Sequence, residues 1–417
     1  MTLPTVTVAF AGTDQTCAVV SGTIRHGRDD PGSQPVASVA SLDLLGPIPA
    51  GVDIGTAVTV TAHLGGTAYP RFAGRVTDLG VAWEDVDTPL PQLIAAGALS
   101  DMGRKVVGDA PWPEENDGTR VNRIIGLAGV PTDAARTDPG YIAVLARDVD
   151  AQPALDVATD AAIAGDGIVW QAKDGAVLYA DVEHRRTAPI ALELGACDLP
   201  GSLVWKRSLE GLVNDVRIRY GATPAGGEQP EVRYTDPASI AARGTFAASL
   251  STQLANAGAA TNRATYTVTR QAEPVWILEG LRMALEWITT PGLSAALLGL
   301  EMHALASVTG MPAGSPYTSA LVFIEGWTET LEPAEDGSGV GSWLIEFATS
   351  DFCRSQTPPR WDVVDPAITW DTIGAGYTWD TIRCLPPSTA RGRWHDVPAS
   401  LRWDQVPAAT SWDTWAG

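Results

Sequence analysis

The chain has 417 residues, too many for one ordinary core, and 45% of them are hydrophobic, enough to fill about two to four domains. The formal net charge is -21, the basic residues are nearly all Arg, and no Lys/Arg cluster is long enough to grip a phosphate backbone, which excludes ordinary nucleic-acid binding. Such a balance keeps a protein soluble, and it would also suit a channel along which another polyanion must slide without sticking.

No N-terminal stretch joins a basic start to an apolar core and a cleavage site, and no apolar run reaches membrane-spanning length. The chain is therefore expected to be made and kept in the cytoplasm unless it leaves as part of something larger. Cys17, Cys197, Cys353 and Cys384 form no CxxC pair and read as reduced, mostly buried thiols.

From Thr5 to Gly66 nearly everything alternates as strand: Val6, Val8 and Phe10, then Cys17 to Ile24, Ala40 to Leu45 and Val58 to Leu64. The next stretch, FAGRVTDLGVAW from Phe72 and its return through Leu93 and Ile94, reads as a hairpin across an acidic turn. Together these strands could close a small barrel or sandwich. Thr119 can cap a short helix from Arg120 to Ala128, with Ile124, Leu127 and Ala128 on one face and Gly129 at the stop.

A small α+β unit follows. Asp150 and Pro153 mark a helix start, and Leu155, Ala158, Ala162 and Ile163 keep the spacing of a core-facing stripe. A hairpin, Ile168 to Ala172 with Ala176 to Val182, turns at Asp174-Gly175. Strands resume with VNDVRIRY from Val213, lead to an Ala-rich helix from about Ser251 into Ala264, and continue through Trp276 to Trp287 and Leu300 to Val308.

A second hairpin, FIEGWTETLEPAEDGSGVGSWLIEFATSDF from Phe323, echoes the first: Gly326 stands for Gly74, Thr328-Glu329 for Thr77-Asp78, Leu344-Ile345 for Leu93-Ile94 and Ser350-Asp351 for Ser100-Asp101. A repeated hairpin points to a repeated module.

The end of the chain differs in kind. Trp361, Trp370, Trp379, Trp394, Trp403 and Trp412 are each followed by Asp, or by His-Asp at Trp394, and three residues on by Val, Ile or Trp. Ordering one such nine-residue unit costs more than burying its Trp and one aliphatic returns, so a lone repeat cannot fold by itself. The arm must pack on its neighbours, on the body or on another chain, and another chain is the preferred partner.

No catalytic constellation stands out. His26, His63, His184, His303 and His395 are isolated, no Ser lies in a GxSxG elbow, and GSGVGS at 337–342 lacks dinucleotide spacing. Glu114 to Gly118 lacks the alternating ligands of a calcium loop. An acid pair for sugar hydrolysis stays open, because two carboxylates need only meet in space. The chain is expected to be no enzyme and to hold no cofactor or metal.

FAGRVTDLGVAW, APWPEENDGTRVNRIIGLAG, VNDVRIRYG, YTDPASIAARG, FIEGWTETLEP and the Trp-Asp tail together resemble the central hub proteins of phage tail tips, and among them the minor tail proteins of long-tailed actinobacterial phages. Arg243-Gly244 departs from the Tyr-Gly of some relatives. The resemblance implies a mainly β fold: two tube-like antiparallel β-barrel domains (1–129, with a C-terminal helix, and 206–352), a small α+β domain between them (130–205), and an extended Trp-Asp arm (353–417). It implies a homotrimer in the virion tail tip, made in the host cytoplasm, that joins the tail tube to the host-recognition apparatus and forms part of the DNA exit channel. Its partners would be distal tail or tube proteins, the tape measure protein and other minor tail proteins, with DNA passing unbound and no membrane insertion. Two other classes are a carbohydrate-binding module, with Trp361, Trp370 and Trp379 stacking on sugars, and a cell-wall hydrolase.

Overall fold

Strand Ala57–Leu64 shows in miniature why the body is built of sheet: Val58, Val60 and Ala62 turn inward while Ala57 and Thr59 face out, the two-residue period of a half-buried strand. The computed structural model describes residues 4–352 apart from 17–18, 84–88, 109–110, 187, 200–202, 223–226 and 335–339. Thr5–Phe10 pairs antiparallel with Ala57–Leu64, which pairs in turn with the near half of Thr67–Trp83. The far half of Thr67–Trp83 and Pro89–Ala96 make the first hairpin. Val39–Leu44 lies along Pro89–Ala96, and Val19–Gly27 along Val39–Leu44.

The sheet then crosses into the other end of the chain. Val19–Gly27 pairs with Ala320–Pro333, from Gly27 opposite Gly326 to Gly22 opposite Leu331. Val340–Asp351 takes the other edge of Ala320–Pro333 and completes the second hairpin. Leu305–Thr309 and the parallel Ile190–Gly195 extend the sheet, Arg282–Ala284 adds to Val340–Asp351, Thr13–Asp14 adds to Thr5–Phe10, and among the described residues the whole is one mixed sheet of 12 strands.

This corrects the expectation of two tube-like antiparallel barrels: among the described residues neither half closes on itself. The reason lies in one strand edge. Ala320–Phe323 is occupied by Leu305–Val308, while Gly326–Leu331 further along the same strand is occupied by Gly22–Gly27 of the first half. An edge that could have closed the second module is taken by the first.

The two hairpins agree in register at the positions that match in sequence. Asp78 lies opposite Ile94 and Glu329 opposite Ile345, and each outgoing strand carries an irregularity, between Val76 and Asp78 and between Ile324 and Gly326. The agreement stops at the ends, since Ser100-Asp101 belongs to helix Ala98–Arg104 and Ser350-Asp351 to a strand.

Two further cores lie outside the main sheet. Helices Asp117–Ala128 and Ala154–Gly165 pack with the hairpin Ile168–Gln171 and Val177–Ala180. Val121, Ile124, Ile125 and Ala128 form the buried stripe, while Leu127, expected inside, is 57% exposed because it lies off that stripe. Strands Asp215–Arg219, Glu231–Thr235 and Ala247–Ser251 form a small sheet covered by helix Ala257–Gln271. That helix starts six residues later than its composition indicated, because Asn256 supplies the N-cap by accepting from Ala259 N at 2.9 Å. Helix Leu293–Gly299 was not foreseen: its apolar run, LSAALLG, carries no period that separates it from strand. No helix among the described residues is long and apolar enough to cross a membrane.

Candidate functional site

The chemistry of this molecule is concentrated where Val19–Gly27 meets Ala320–Pro333. Gly27, at φ +79°, and Gly326 sit face to face there; a Cβ on Gly326 would lie 2.5 Å from His26 O, and one on Gly27 2.4 Å from Glu325 O. This close approach lets the flanking side chains of the two halves interlock.

Glu325 and Glu329 project from the same strand and both are fully buried. Arg185 grips Glu325 with two bonds of 2.8 and 2.7 Å, Arg28 Nε adds a third at 2.9 Å, and Ser350 Oγ donates a fourth. Burial pushes this carboxyl up, but the Arg185 and Arg28 charges outweigh it and hold it well below the usual range. Arg71 grips Glu329 through Nε at 3.0 Å and Nη2 at 2.5 Å, and the indoles of Trp327 and Trp343 donate to the same carboxylate at 2.8 and 3.1 Å. Burial again works against ionisation, and Arg71 overcomes it.

Neutral histidines fill the gaps. His26 Nε2 donates to Arg71 O at 2.7 Å, Nδ1 accepts from Ser38 Oγ at 2.8 Å, and burial lowers the ring to about 4. His303, at φ +65°, takes Arg185 Nη2 on Nδ1 at 2.9 Å, and burial followed by the Arg185 charge lowers it too.

The central module reaches into the same seam. Its hairpin turns through Lys173, Asp174 and Gly175, between strand ends expected at Ala172 and Ala176, and is closed by Ala172 N to Ala176 O at 2.9 Å. Lys173 is thereby buried and donates to Leu298 O at 2.7 Å, beside Arg71 Nη1 at 2.6 Å on the same carbonyl. That carbonyl belongs to the last turn of helix Leu293–Gly299, where cations are favoured. Burial and then the Arg71 charge bring Lys173 down to about 8.

What this constellation can do is hold three parts of the chain in one register. Its carboxylates are saturated with donors and shut away from solvent, so none can serve as an acid or base for a dissolved substrate. A more open pair, His184 Nδ1 with Asp138 Oδ2 at 2.9 Å, has no hydroxyl or thiol bonded to the His184 ring among the described contacts. No group of three or more His, Cys, Asp or Glu among the described residues could hold a metal. In the acidic stretch Glu114 to Gly118, Glu115 is spent on Arg120 and Arg123, and Asp117 accepts from Tyr179 Oη and Gly118 N.

The six arm tryptophans, Trp361, Trp370, Trp379, Trp394, Trp403 and Trp412, lie outside the described residues, as do Cys17, Cys353, Cys384 and His395. Cys197, the one cysteine among the described residues, is exposed. Sequence reasoning missed the seam itself. One signal was present: in GWTETL, Trp327, Glu329 and Leu331 share a face by the two-residue period, so a buried Trp327 and Leu331 imply a buried Glu329.

No protein-family model matches this sequence, and no curated protein matches it. Solved structures do share the fold. A 43 kDa tail protein of prophage MuSo2 from Shewanella oneidensis superposes with a TM-score of 0.57 at 12% identity, covering 84% of this chain and 100% of its own. A tail protein from Neisseria meningitidis MC58 also gives 0.57 at 12% identity, over 83% of this chain and 97% of its own. The mainly β architecture described above is thus a fold shared with these two tail proteins.

Proposed function

We propose that this chain is a structural hub of a phage tail tip, three copies of which form a ring between the tail tube and the host-recognition apparatus. The observation that carries the reading is the seam: two hairpin-bearing halves share one sheet and are locked by Arg71–Glu329 and Arg28–Glu325. A rigid unit with two like halves gives a threefold ring six like positions, which suits a joint between a sixfold tube and a threefold tip. The fold shared with two tail proteins over more than four-fifths of the chain supports the same reading. A net charge of -21 suits the wall of a DNA conduit.

On this reading the chain is no enzyme and works in the virion. The two β modules lie within residues 1–129 and 206–352, with 130–205 between them along the chain, and 353–417 is an arm whose tryptophans fasten the ring to tube, tape measure or other minor tail proteins. The test is native mass and location together. Three times the 43.8 kDa of one chain, in solution or after cross-linking on isolated tails, is expected, with antibody label at one tail end. Cross-linked tails that yield only dimers, or label along the whole tail, would sink the proposal.

A further inference from the structure

The strand registers bring a row of exposed apolar side chains to one rim of the sheet. Trp83 lies opposite Pro89 at the far end of the first hairpin, and Val81 opposite Pro91. One strand over, Gln92 pairs with Asp43, which brings Leu45 to the same rim, and Leu44 pairs with Val19, next to Val20. Gly22 pairs with Leu331, which places Val20 near Pro333 at the end of the second hairpin. On the other side of that hairpin Arg282–Ala284 runs toward Trp343, and Glu286 accepts from Ser342 Oγ and Trp343 N, so Trp287 stands at this rim as well.

Trp287 is 69% exposed, Trp83 62% and Leu45 60%. At about 4.8 Å per strand the row runs for roughly 30 Å, and the two indoles alone present roughly 250 Å². Val81 and Trp83 share a face with Leu79, which packs on the main core, so the hairpin carries its core-facing side past the end of the core. A face of that kind on a soluble chain marks a contact surface.

The charges at the rim select the partner. Residues 19–21, 42–46, 81–83, 89–91, 285–288, 332–334 and 340–343 include Asp43, Glu286 and Glu332 and no Lys or Arg. Rim-to-rim contact between two copies would set these acids against each other, so a second copy in that arrangement is disfavoured. We propose that this rim docks end-on against a different protein, one that presents apolar residues bordered by Lys or Arg. The inference rests on the tail reading and deepens it by assigning the end of the sheet that makes the joint.

The probe is tails assembled in cells that express the other tail genes but not this chain, incubated with purified protein and sedimented. Wild-type protein is expected to sediment with them, less so as salt rises from about 0.05 to about 0.5 M. Trp83→Ser with Trp287→Ser is expected to lower the bound fraction at least tenfold while thermal midpoint and native mass stay unchanged, because both side chains are exposed. Asp43→Asn with Glu332→Gln is expected to flatten the salt dependence. If the tryptophan variant binds as wild type does, the docking rim is wrong and the tail reading stands. If wild type does not bind, both fall. If the tryptophan variant instead loses self-association, the occupant is a second copy and the proposal is overturned.

Discussion

Arg71 and Glu329, 258 residues apart in the chain, meet in a two-pronged ion pair that is fully buried between the two halves of the sheet. Neither would be tolerable alone. A charge left in that setting has lost its water and gained nothing, whereas the pair and the two indole donors satisfy one another.

Removing one member should therefore cost far more than removing both. Arg71→Met or Glu329→Leu is expected to lower stability by about 3–5 kcal/mol, and the double variant by much less than the sum. Denaturant midpoints of the four proteins measure this. Additive losses would show that the pair is not coupled and that the halves are held mainly by backbone pairing.

Acid should loosen the same seam. His26 is held near 4, below its ordinary 6.5, so the unfolded chain binds more protons between those values and stability falls as pH drops through them. The loss from His26 reaches about 3 kcal/mol by pH 4; His303 adds in the same direction. Glu325 and Glu329, both depressed, add a further loss below their ordinary 4.5. Thermal midpoints from pH 7 to 4 are expected to fall throughout, and His26→Gln to remove part of the fall above 4.5, leaving the share of His303. A wild-type midpoint that is level between 6.5 and 4.5 would contradict this account.

Backbone contact at the seam gives a sharper contrast. Gly326→Ala places a methyl 2.5 Å from His26 O and 2.7 Å from Arg28 N, both backbone atoms that cannot step aside. Gly80→Ala, in the outer part of the first hairpin, meets nothing within 4 Å. The first is expected to cost about 3 kcal/mol or more, or to abolish soluble expression, and the second to be neutral or slightly stabilising. Equal melting of the two variants would mean that the strands can separate at Gly27–Gly326 without penalty.

Which parts of this could be read from sequence follows from the range of the interactions. The two hairpins were readable because their strands are close in sequence and alternate in pattern, and Asp78 and Glu329 fell at matching registers. The shared sheet was not, since no local pattern says that Gly22–Gly27 will pair with a strand some 300 residues later. Lys173 sits in an Asp-Gly turn, which normally means surface, and only the third dimension makes it a plug. Helix Leu293–Gly299 and the outward Leu127 show the other limit: short apolar runs leave the period undecided. The arm tryptophans stand out in the sequence by their spacing alone, and deletion tests their role.

That test is a stop after Phe352. Phe352 is buried against Phe323 and Leu305, so truncation just beyond it leaves every described core residue in place. The shortened protein is expected to stay soluble and to keep the thermal midpoint of the full chain within a few degrees. If Trp361, Trp370, Trp379, Trp394, Trp403 and Trp412 fasten the ring to its neighbours, it should also fail to remain on tails through sedimentation, even with Trp83 and Trp287 intact. Incorporation as complete as that of the full chain would remove the fastening role from the arm, and collapse of the core would show that the arm is part of the fold.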